Sequence, residues 1–535
     1  MTEDETREEQ PEISRKRFLR SVSGQGILTL ISRMLGLVRE QMRAFFLGAT
    51  NESDAFGLAV MIPNLFRRLL GEGQMTAAFL PTLVEKIRAK DRQALRKFYS
   101  DFLGVFTFIV TIVVILGYLI APWIIDTCFS RANADTDLTI RLTRVMFPYL
   151  GLVTTAAILQ ATLQAHHLFW PGAATPIFLN LSIIGCAYFF ADSFEYKSYA
   201  FAMGFLVGGC IQLLFQVPFV LKKKFSLRPR FGWRNPGVRR VLRIFLPGIL
   251  AGGIYQLQVL VSQGIAYSLG TGRVSALQYS IRLQELVLGV FVISVTTVVL
   301  PTLSAQIADE GENSTAAEKT FAFSTSLMAM ITIPATIGLL VLGPSVIRLL
   351  FQYGAFTQHD NDLVYKALIF HSIGLLPIAL SRNVMQVYYA KKDLRTPMLV
   401  SAYILIQHVI LCLVLSRTSL DHGGIALSTA IGATINVSIL SYLLNRSGFC
   451  VINKALGKRL LLCLLAAGIM LVGVWGIAWG FGLFDPQTGR LNLGIGLGCA
   501  VFGGAIIYGV ALLKIRHPDA LQAYSSLKAR LSSDA

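Results

Sequence analysis

Charge is what this 535-residue sequence has least of. Only 15% of its residues are Asp, Glu, Lys or Arg against 54% hydrophobic, and the mean hydropathy is +0.60. That balance excludes a soluble enzyme and a disordered chain. The seven cysteines (Cys128, Cys186, Cys210, Cys412, Cys450, Cys463, Cys499) lie scattered in or beside apolar segments without CxxC spacing. They indicate neither a disulfide scaffold nor a metal or redox centre and read as packing residues. The start, MTEDETREEQPEISRKR, has no short apolar core before a small-residue cleavage site, so it reads as a polar cytoplasmic tail and not a removable signal peptide. No DxxD carboxylate cluster stands at a membrane edge, which disfavours a metal-dependent prenyl-phosphate enzyme or a glycosyltransferase. The expectation is therefore a chain with no catalytic residues, no cofactor and no metal. Acidic residues are the scarcer sign, and the formal charge is +18. In so apolar a chain the surplus marks cytoplasmic loops and anionic lipid or substrate, not nucleic acid.

What is present is long apolar runs. A hydrocarbon core of about 30 Å takes about 20 apolar residues per helix, and only helices or closed barrels satisfy their backbone there. Phe102–Ile125, Ser198–Leu221, Ile244–Gly272, Thr320–Ile347, Leu460–Phe484 and Leu491–Leu513 carry no charge at all. Breaking the rest at Pro, Gly or polar turns predicts fourteen spans: 22–47, 53–72, 100–125, 139–165, 169–191, 198–221, 241–270, 274–299, 320–343, 364–389, 396–416, 423–445, 460–483 and 491–514. Loop charge supports the alternation. Basic clusters follow spans two, six, ten and twelve, whereas the opposite loops hold about one basic residue each, placing both termini in the cytoplasm.

The chain also repeats itself. Leu80-Pro81-Thr82-Leu83 recurs as Leu300-Pro301-Thr302-Leu303, and Pro122, Ile125 and Phe129 as Pro344, Ile347 and Phe351. Gly151-Leu152 recurs as Gly374-Leu375, and the pair Gln160 and Pro171 as Gln386 and Pro397, in order and at a slowly drifting offset. Six helices per copy, an even number, predict two parallel-repeat lobes with a cavity between them. The expected class is an all-α integral membrane protein of 14 transmembrane helices. Residues 1–20 would be a tail, 21–224 the N-terminal lobe, 225–447 the C-terminal lobe, 448–516 two appended helices and 517–535 a second tail.

Charge inside a span is costly, about 2.5–3.5 kcal/mol for a central Arg on insertion scales, so it usually faces water and has a function. Span one carries Arg33, Arg39, Glu40 and Arg43; span two carries Asp54, Arg67, Arg68 and Glu72; span eight carries Arg282 and Glu285. Arg39 stands about 9 Å along the helix axis from Arg33, at 1.5 Å per residue. One reading makes Arg43, Arg67, Arg68 and Glu72 interfacial side chains that snorkel, and Arg282–Glu285 a structural pair. The other uses the planar guanidinium fork for bidentate capture of phosphate or pyrophosphate, which suits the deeper Arg33, Arg39 and Arg282. A basic cavity of this kind predicts an anionic cargo. His166, His167, His371 and His408 are expected to be hydrogen-bonded residues and not proton relays. Gly71-Glu72-Gly73 and the two LPTL segments are expected to break helices at the cytoplasmic rim, where irregular backbone is tolerated against water or protein.

Several of these segments resemble the MurJ (MviN) lipid II flippase family of the multidrug/oligosaccharidyl-lipid/polysaccharide exporter superfamily. They are Ser32–Glu40 (SRMLGLVRE), Ser53-Asp54-Ala55-Phe56, Pro63–Arg68, Gly71–Gly73 with Ala78–Pro81, Pro176–Asn180, Arg282–Glu285, Leu350–Thr357 and Tyr389–Pro397. The resemblance implies fourteen helices in two lobes around a cationic cavity, in the bacterial cytoplasmic membrane. The implied cargo is lipid II, an undecaprenyl pyrophosphate bearing the peptidoglycan disaccharide-pentapeptide, moved from inner to outer leaflet by alternating access. Membrane lipids and cell-wall synthases are the implied partners. It places the substrate-binding arginines at Arg33, Arg39, Arg67 and Arg282, with Glu40, Asp54, Arg68, Glu72 and Glu285 in supporting or gating positions, and gives the last two helices a groove for the polyprenyl tail. Where some members hold sodium with a helix-seven Asp, Ser262 stands here, which leaves membrane potential or another ion to drive the cycle. The alternatives are a flippase or exporter of another polyprenyl-linked saccharide and a non-transporting cell-wall scaffold.

Overall fold

A computed structural model describes residues 15–71, 74–129, 136–451 and 454–533, and among these it is helical with no strand. The stretch expected to be the first copy of the repeat holds α1 (Arg15–Leu47), α2 (Asn51–Leu70), α3 (Gln74–Arg88), α4 (Arg92–Cys128), α5 (Thr136–Ala165), α6 (Trp170–Phe190) and α7 (Ser198–Lys222). That expected to be the second holds α8 (Pro236–Leu269), α9 (Arg273–Val287), α10 (Ile293–Glu310), α11 (Thr315–Phe351), α12 (Gln358–Ile373), α13 (Leu375–Ala390), α14 (Arg395–Leu415) and α15 (His422–Arg446). Then follow α16 (Lys454–Gly480), α17 (Arg490–Lys514) and α18 (Pro518–Ser533). Three pairs of helices at corresponding places in the expected repeat have equal lengths: α4 and α11 have 37 residues each, α6 and α14 have 21, and α7 and α15 have 25.

Each of the fourteen predicted spans overlaps helix among the described residues, with spans eight and ten each divided between two helices, α9 and α10 and α12 and α13. By length and apolar composition alone, nine described helices qualify to cross a membrane, or ten if α12 and α13, bent by 42° at their junction, count as one. The charged α1 and α2 are absent from that set. The LPTL segments correct an expectation. Pro81 lies inside α3 and Pro301 inside α10, so both segments are helical. The interruptions come elsewhere. Gly71 ends α2 in a turn, and a π-helical stretch, Leu288–Val292, separates α9 from α10. Residues 518–533, too polar to register as an apolar run and expected only as a second tail, form a helix.

The chain divides into two compact units. The first gathers the chain up to Arg43, Leu58–Thr127 and the stretch ending at Gly253; the second gathers Ala44–Gly57 and the chain from Ile254 onward. The first is cored by aromatic rings. Phe79 of α3 stacks on Phe102 at 4.4 Å, Phe102 on Phe106 at 5.7 Å, and Tyr99 meets Phe225 edge-on at 4.8 Å. In the second, α16 and α17 pack on α11 through small buried residues such as Ala466, Ala467 and Ala500. Trp479 and Phe502 remain more than two-thirds exposed, as side chains that face acyl chains do.

The Leu350–Thr357 segment acquires a physical reason in the second unit. The Ala355 N–H donates to the carbonyl of Phe45 at 2.8 Å, and Tyr279 donates through its hydroxyl to the carbonyl of Gly48 at 3.2 Å. Both turns that meet here are left-handed, with φ +58 at Gly48 and at Gly354. A Cβ at Gly354 would lie 2.3 Å from the Phe45 oxygen, and one at Gly48 would lie 2.6 Å from that of Ala355. Thr357 then starts α12 with a capping box closed by Asp360. Gly354→Val is expected to lower the melting temperature of the solubilised protein, since left-handed backbone alone costs a side-chain-bearing residue about 1–2 kcal/mol. An unchanged melting temperature would show that this contact contributes nothing.

Candidate functional site: arginines inside the spans

α1 carries its charges in a connected set. Glu40 is buried, and its carboxylate meets Arg39 at 2.7 Å and Arg43 at 3.8 Å. Arg39 also donates through Nη1 to Oδ1 of Asn180 in α6 at 3.1 Å, and Asn180 donates through Nδ2 to the Ser32 carbonyl at 3.1 Å. Asn180 thus ties one guanidinium to the backbone of α1 about two turns away, fixing its direction. Arg43, one of the residues that a snorkeling role would fit, is instead 6% exposed and held by Glu40. Arg33 is half-buried and makes no hydrogen bond or ion pair among the described residues. Two of the three guanidinium groups therefore share the one carboxylate of this helix and the third has none among the described residues, so the cationic excess lies within an otherwise apolar stretch.

On α2, Arg67 donates through Nε to Oδ1 of Asn64, one turn back, at 2.9 Å, while Arg68 is exposed. Glu72 lies outside the described residues. On α9, Arg282 pairs with Glu285 at 2.8 Å as the sequence spacing suggests, and both side chains are nearly half exposed. An exposed pair of this kind is worth little to stability, about 0–1 kcal/mol. It leaves the Arg282 guanidinium within reach of a competing anion.

Asp54 has a function that its sequence context does not reveal. It is wholly buried in the second unit, where its carboxylate accepts from the Gly272 N–H at 2.6 Å and from the N–H and hydroxyl of Ser275 at 2.9 and 2.8 Å. Those groups form the N-terminus of α9, whose N-cap Gly272 has no side chain to cap with. Asp54 supplies the cap from another helix, placing a negative charge at the positive end of α9. Arg273, at the first position of α9, pairs with Asp421 at 3.2 Å. Burial alone would raise the Asp421 carboxyl, but the His422 ring and the Arg273 guanidinium reverse that and hold it at about 2, so the pair stays ionised at neutral pH. The helix that carries Arg282 is thereby anchored at its start by two carboxylates.

Of the four histidines expected to be hydrogen-bonded, His371 and His408 are, whereas His166 packs its ring against Phe225 with its Nε2 buried and unpartnered among the described residues, and His167 meets the Phe169 ring. His408 is buried, with its Nε2 2.7 Å from the Ser262 hydroxyl and its Nδ1 2.9 Å from that of Ser428, and His371 lies 2.9 Å from Ser280. Ser262, the position considered for ion coupling, is therefore engaged with a histidine. Sequence reading missed Asn180 and Asn64 as partners of the arginines. The one available signal, Asn180 within the Pro176–Asn180 segment, does not name its partner 141 residues away.

Comparison with known proteins places these residues in a lineage. The family model for the lipid II flippase MurJ matches residues 43–487. A probable lipid II flippase MurJ of Vibrio cholerae is 33% identical over 435 residues, covering 79% of this chain and 82% of that protein. One from Treponema pallidum is 33% identical over 443 residues, covering 81% and 83%. Among solved structures, a lipid II flippase MurJ in an inward closed conformation is 26% identical, with TM-score 0.76 over 92% of this chain and 99% of that one. An inward-facing multidrug resistance MATE transporter of the MOP superfamily shares the fold at TM-score 0.66 and 13% identity. With the family model matching most of its length and relatives a third identical over about four-fifths of it, the chain is a multi-pass membrane protein belonging to the MurJ lipid II flippase family.

Proposed function

We propose that this protein translocates lipid II across the bacterial cytoplasmic membrane, receiving the pyrophosphate of its cargo on Arg33, Arg39, Arg67 and Arg282. The observation that carries the reading is the charge arrangement of α1, where Arg33 stands unpartnered among the described residues and Asn180 aims Arg39. A guanidinium held in an apolar span without a carboxylate of its own is stabilised by any phosphate that reaches it. The steps follow from that. The cationic set draws in the pyrophosphate while the polyprenyl tail remains in lipid, and the exposed faces of α16 and α17 give that tail an apolar path. Glu285 competes with the cargo for Arg282, which lowers the cost of release. Arg68, near the end of α2, and Glu72, outside the described residues, are assigned supporting roles, and Glu40 holds Arg39 and Arg43 in place. Alternation between inward and outward access moves the headgroup to the outer leaflet with both termini remaining cytoplasmic. No bond is made or broken, so the activity is transport and not catalysis.

Depleting the protein is expected to raise lipid II in the inner leaflet, and wild-type protein to reverse this. Single Arg33→Ala, Arg39→Ala, Arg67→Ala and Arg282→Ala variants, expressed at wild-type level, are expected to fail to restore it. If depletion leaves the leaflet distribution of lipid II unchanged, the cargo is a different polyprenyl-linked saccharide or the protein is a scaffold. Asp54→Ala is expected to act through stability. It removes the cap of α9, worth about 0.5–2 kcal/mol for an ordinary N-cap, and strands buried donors, lowering the melting temperature. Asp54→Asn, which keeps an acceptor, is expected to lose less. Equal loss in the two variants would show that charge and not hydrogen bonding is what α9 requires.

A further inference from the structure

We infer that the first unit carries a binding site for the phosphate headgroup of an anionic phospholipid, built from α3, α4 and the loop between α7 and α8. A cavity of about 950 Å³ opens there, lined by Lys86 of α3, Lys97 of α4 and Arg230, Trp233, Arg234 and Asn235 of the loop. It uses none of the residues assigned to the pyrophosphate of the cargo.

The cavity is a folded feature and not a gap under a loose loop. The Arg230 N–H donates to the Ser100 carbonyl at 3.0 Å, and Asn235 donates through Nδ2 to Asp101 at 2.9 Å. A Cβ at Gly104 would lie 2.2 Å from the Arg230 oxygen, so the loop backbone lies directly on α4. The Phe231 ring packs edge-on against Phe108 at 5.1 Å.

Its charge is unbalanced. Asp101 is buried and has Arg230 4.0 Å away, but Lys86, Lys97 and Arg234 make no ion pair or hydrogen bond among the described residues. Four cations around one carboxylate, already engaged by Asn235 and Arg230, call for an anion from outside the chain.

The position selects a lipid over a soluble anion. α4 carries Arg92, Arg96, Lys97 and Asp101 in its first turns and then no charge from Phe102 to Ile125. The cavity thus lies where the helix passes from water into hydrocarbon. Phe231, Trp233 and Phe108 are 64%, 47% and 51% exposed at that level, as side chains of the membrane interface are. A ligand there has its phosphate among the cations and its acyl chains along the apolar face of α4. The basic loop assigns it to the cytoplasmic leaflet.

The test uses the full-length protein in phosphatidylcholine bilayers, titrated with phosphatidylglycerol brominated on its acyl chains. The signal is the quenching of Trp233, obtained as the difference between the wild type and Trp233→Phe. Selective quenching is expected, with brominated phosphatidylcholine quenching only at much higher mole fraction. With about fivefold in affinity per basic residue near an anionic surface, Lys86→Gln/Lys97→Gln/Arg234→Gln is expected to shift half-quenching by at least roughly tenfold. Arg243→Gln, outside the cavity, is expected to leave it unchanged, and so is excess inorganic phosphate. Equal quenching by brominated phosphatidylcholine, or a triple variant that titrates like wild type, overturns the site. Relief of quenching by inorganic phosphate overturns the lipid and makes this a soluble-anion site. Failure of the lipid II leaflet assay does not bear on any of these readouts.

Discussion

A guanidinium group within an apolar span has to be satisfied by protein, by water or by a ligand, and the chemistry of this molecule follows from which of these it uses. Glu40 serves two arginines at once, Asn180 directs one of them, and Arg33 is left without a protein partner among the described residues. Lining up cations without matching carboxylates costs stability in the empty protein. In the function proposed above, that cost is recovered when a phosphate arrives, which is the condition for a site that binds an anionic headgroup and lets it go. On α9 the balance differs: Arg282 has a carboxylate of its own, but in an exposed pair of low strength.

The same economy of charge explains the start of α9. A helix beginning at a glycine has orphan N–H groups, and here they are satisfied by Asp54 from another helix and not by a local cap. Ala44–Gly57, the segment joining α1 to α2, accordingly packs as part of the second unit. Its other holds are the left-handed turns at Gly48 and Gly354 and the hydroxyl of Tyr279. The chain that carries Arg33 and Arg39 thus continues directly into the residues that anchor the helix carrying Arg282.

Much of this is legible in the sequence because hydrophobic runs and buried charge are one-dimensional signals. The apolar runs fall on helices, and the repeat read from LPTL and the proline pairs is matched by helices of equal length at corresponding places. Two things were not legible. The LPTL prolines do not end their helices: each removes one backbone donor, and α3 and α10 continue past it; the interruptions lie at Gly71 and at Leu288–Val292, where no proline marks them. The partners of the charged residues were also hidden. The arginines announce themselves by their cost, but Asn180 is 141 residues from the guanidinium it directs. Backbone N–H groups, the recipients of Asp54, leave no trace in residue type. Ser262 shows the same limit from the other side: the sequence says only that no carboxylate is there, and the structure supplies the histidine that it meets.

The central claim is that the unpaired positive charge of these spans is a pyrophosphate receptor. It is tested most directly by the equilibrium affinity of the purified protein for lipid II, measured beside an undecaprenyl carrier of the same sugar-peptide headgroup linked without phosphate. The account predicts that the wild type prefers the pyrophosphate form, that the preference weakens with salt, and that Arg33→Gln and Arg39→Gln each remove most of it while binding of the uncharged analogue stays the same. Equal affinity for the two ligands, or a preference that survives in those variants, would contradict it.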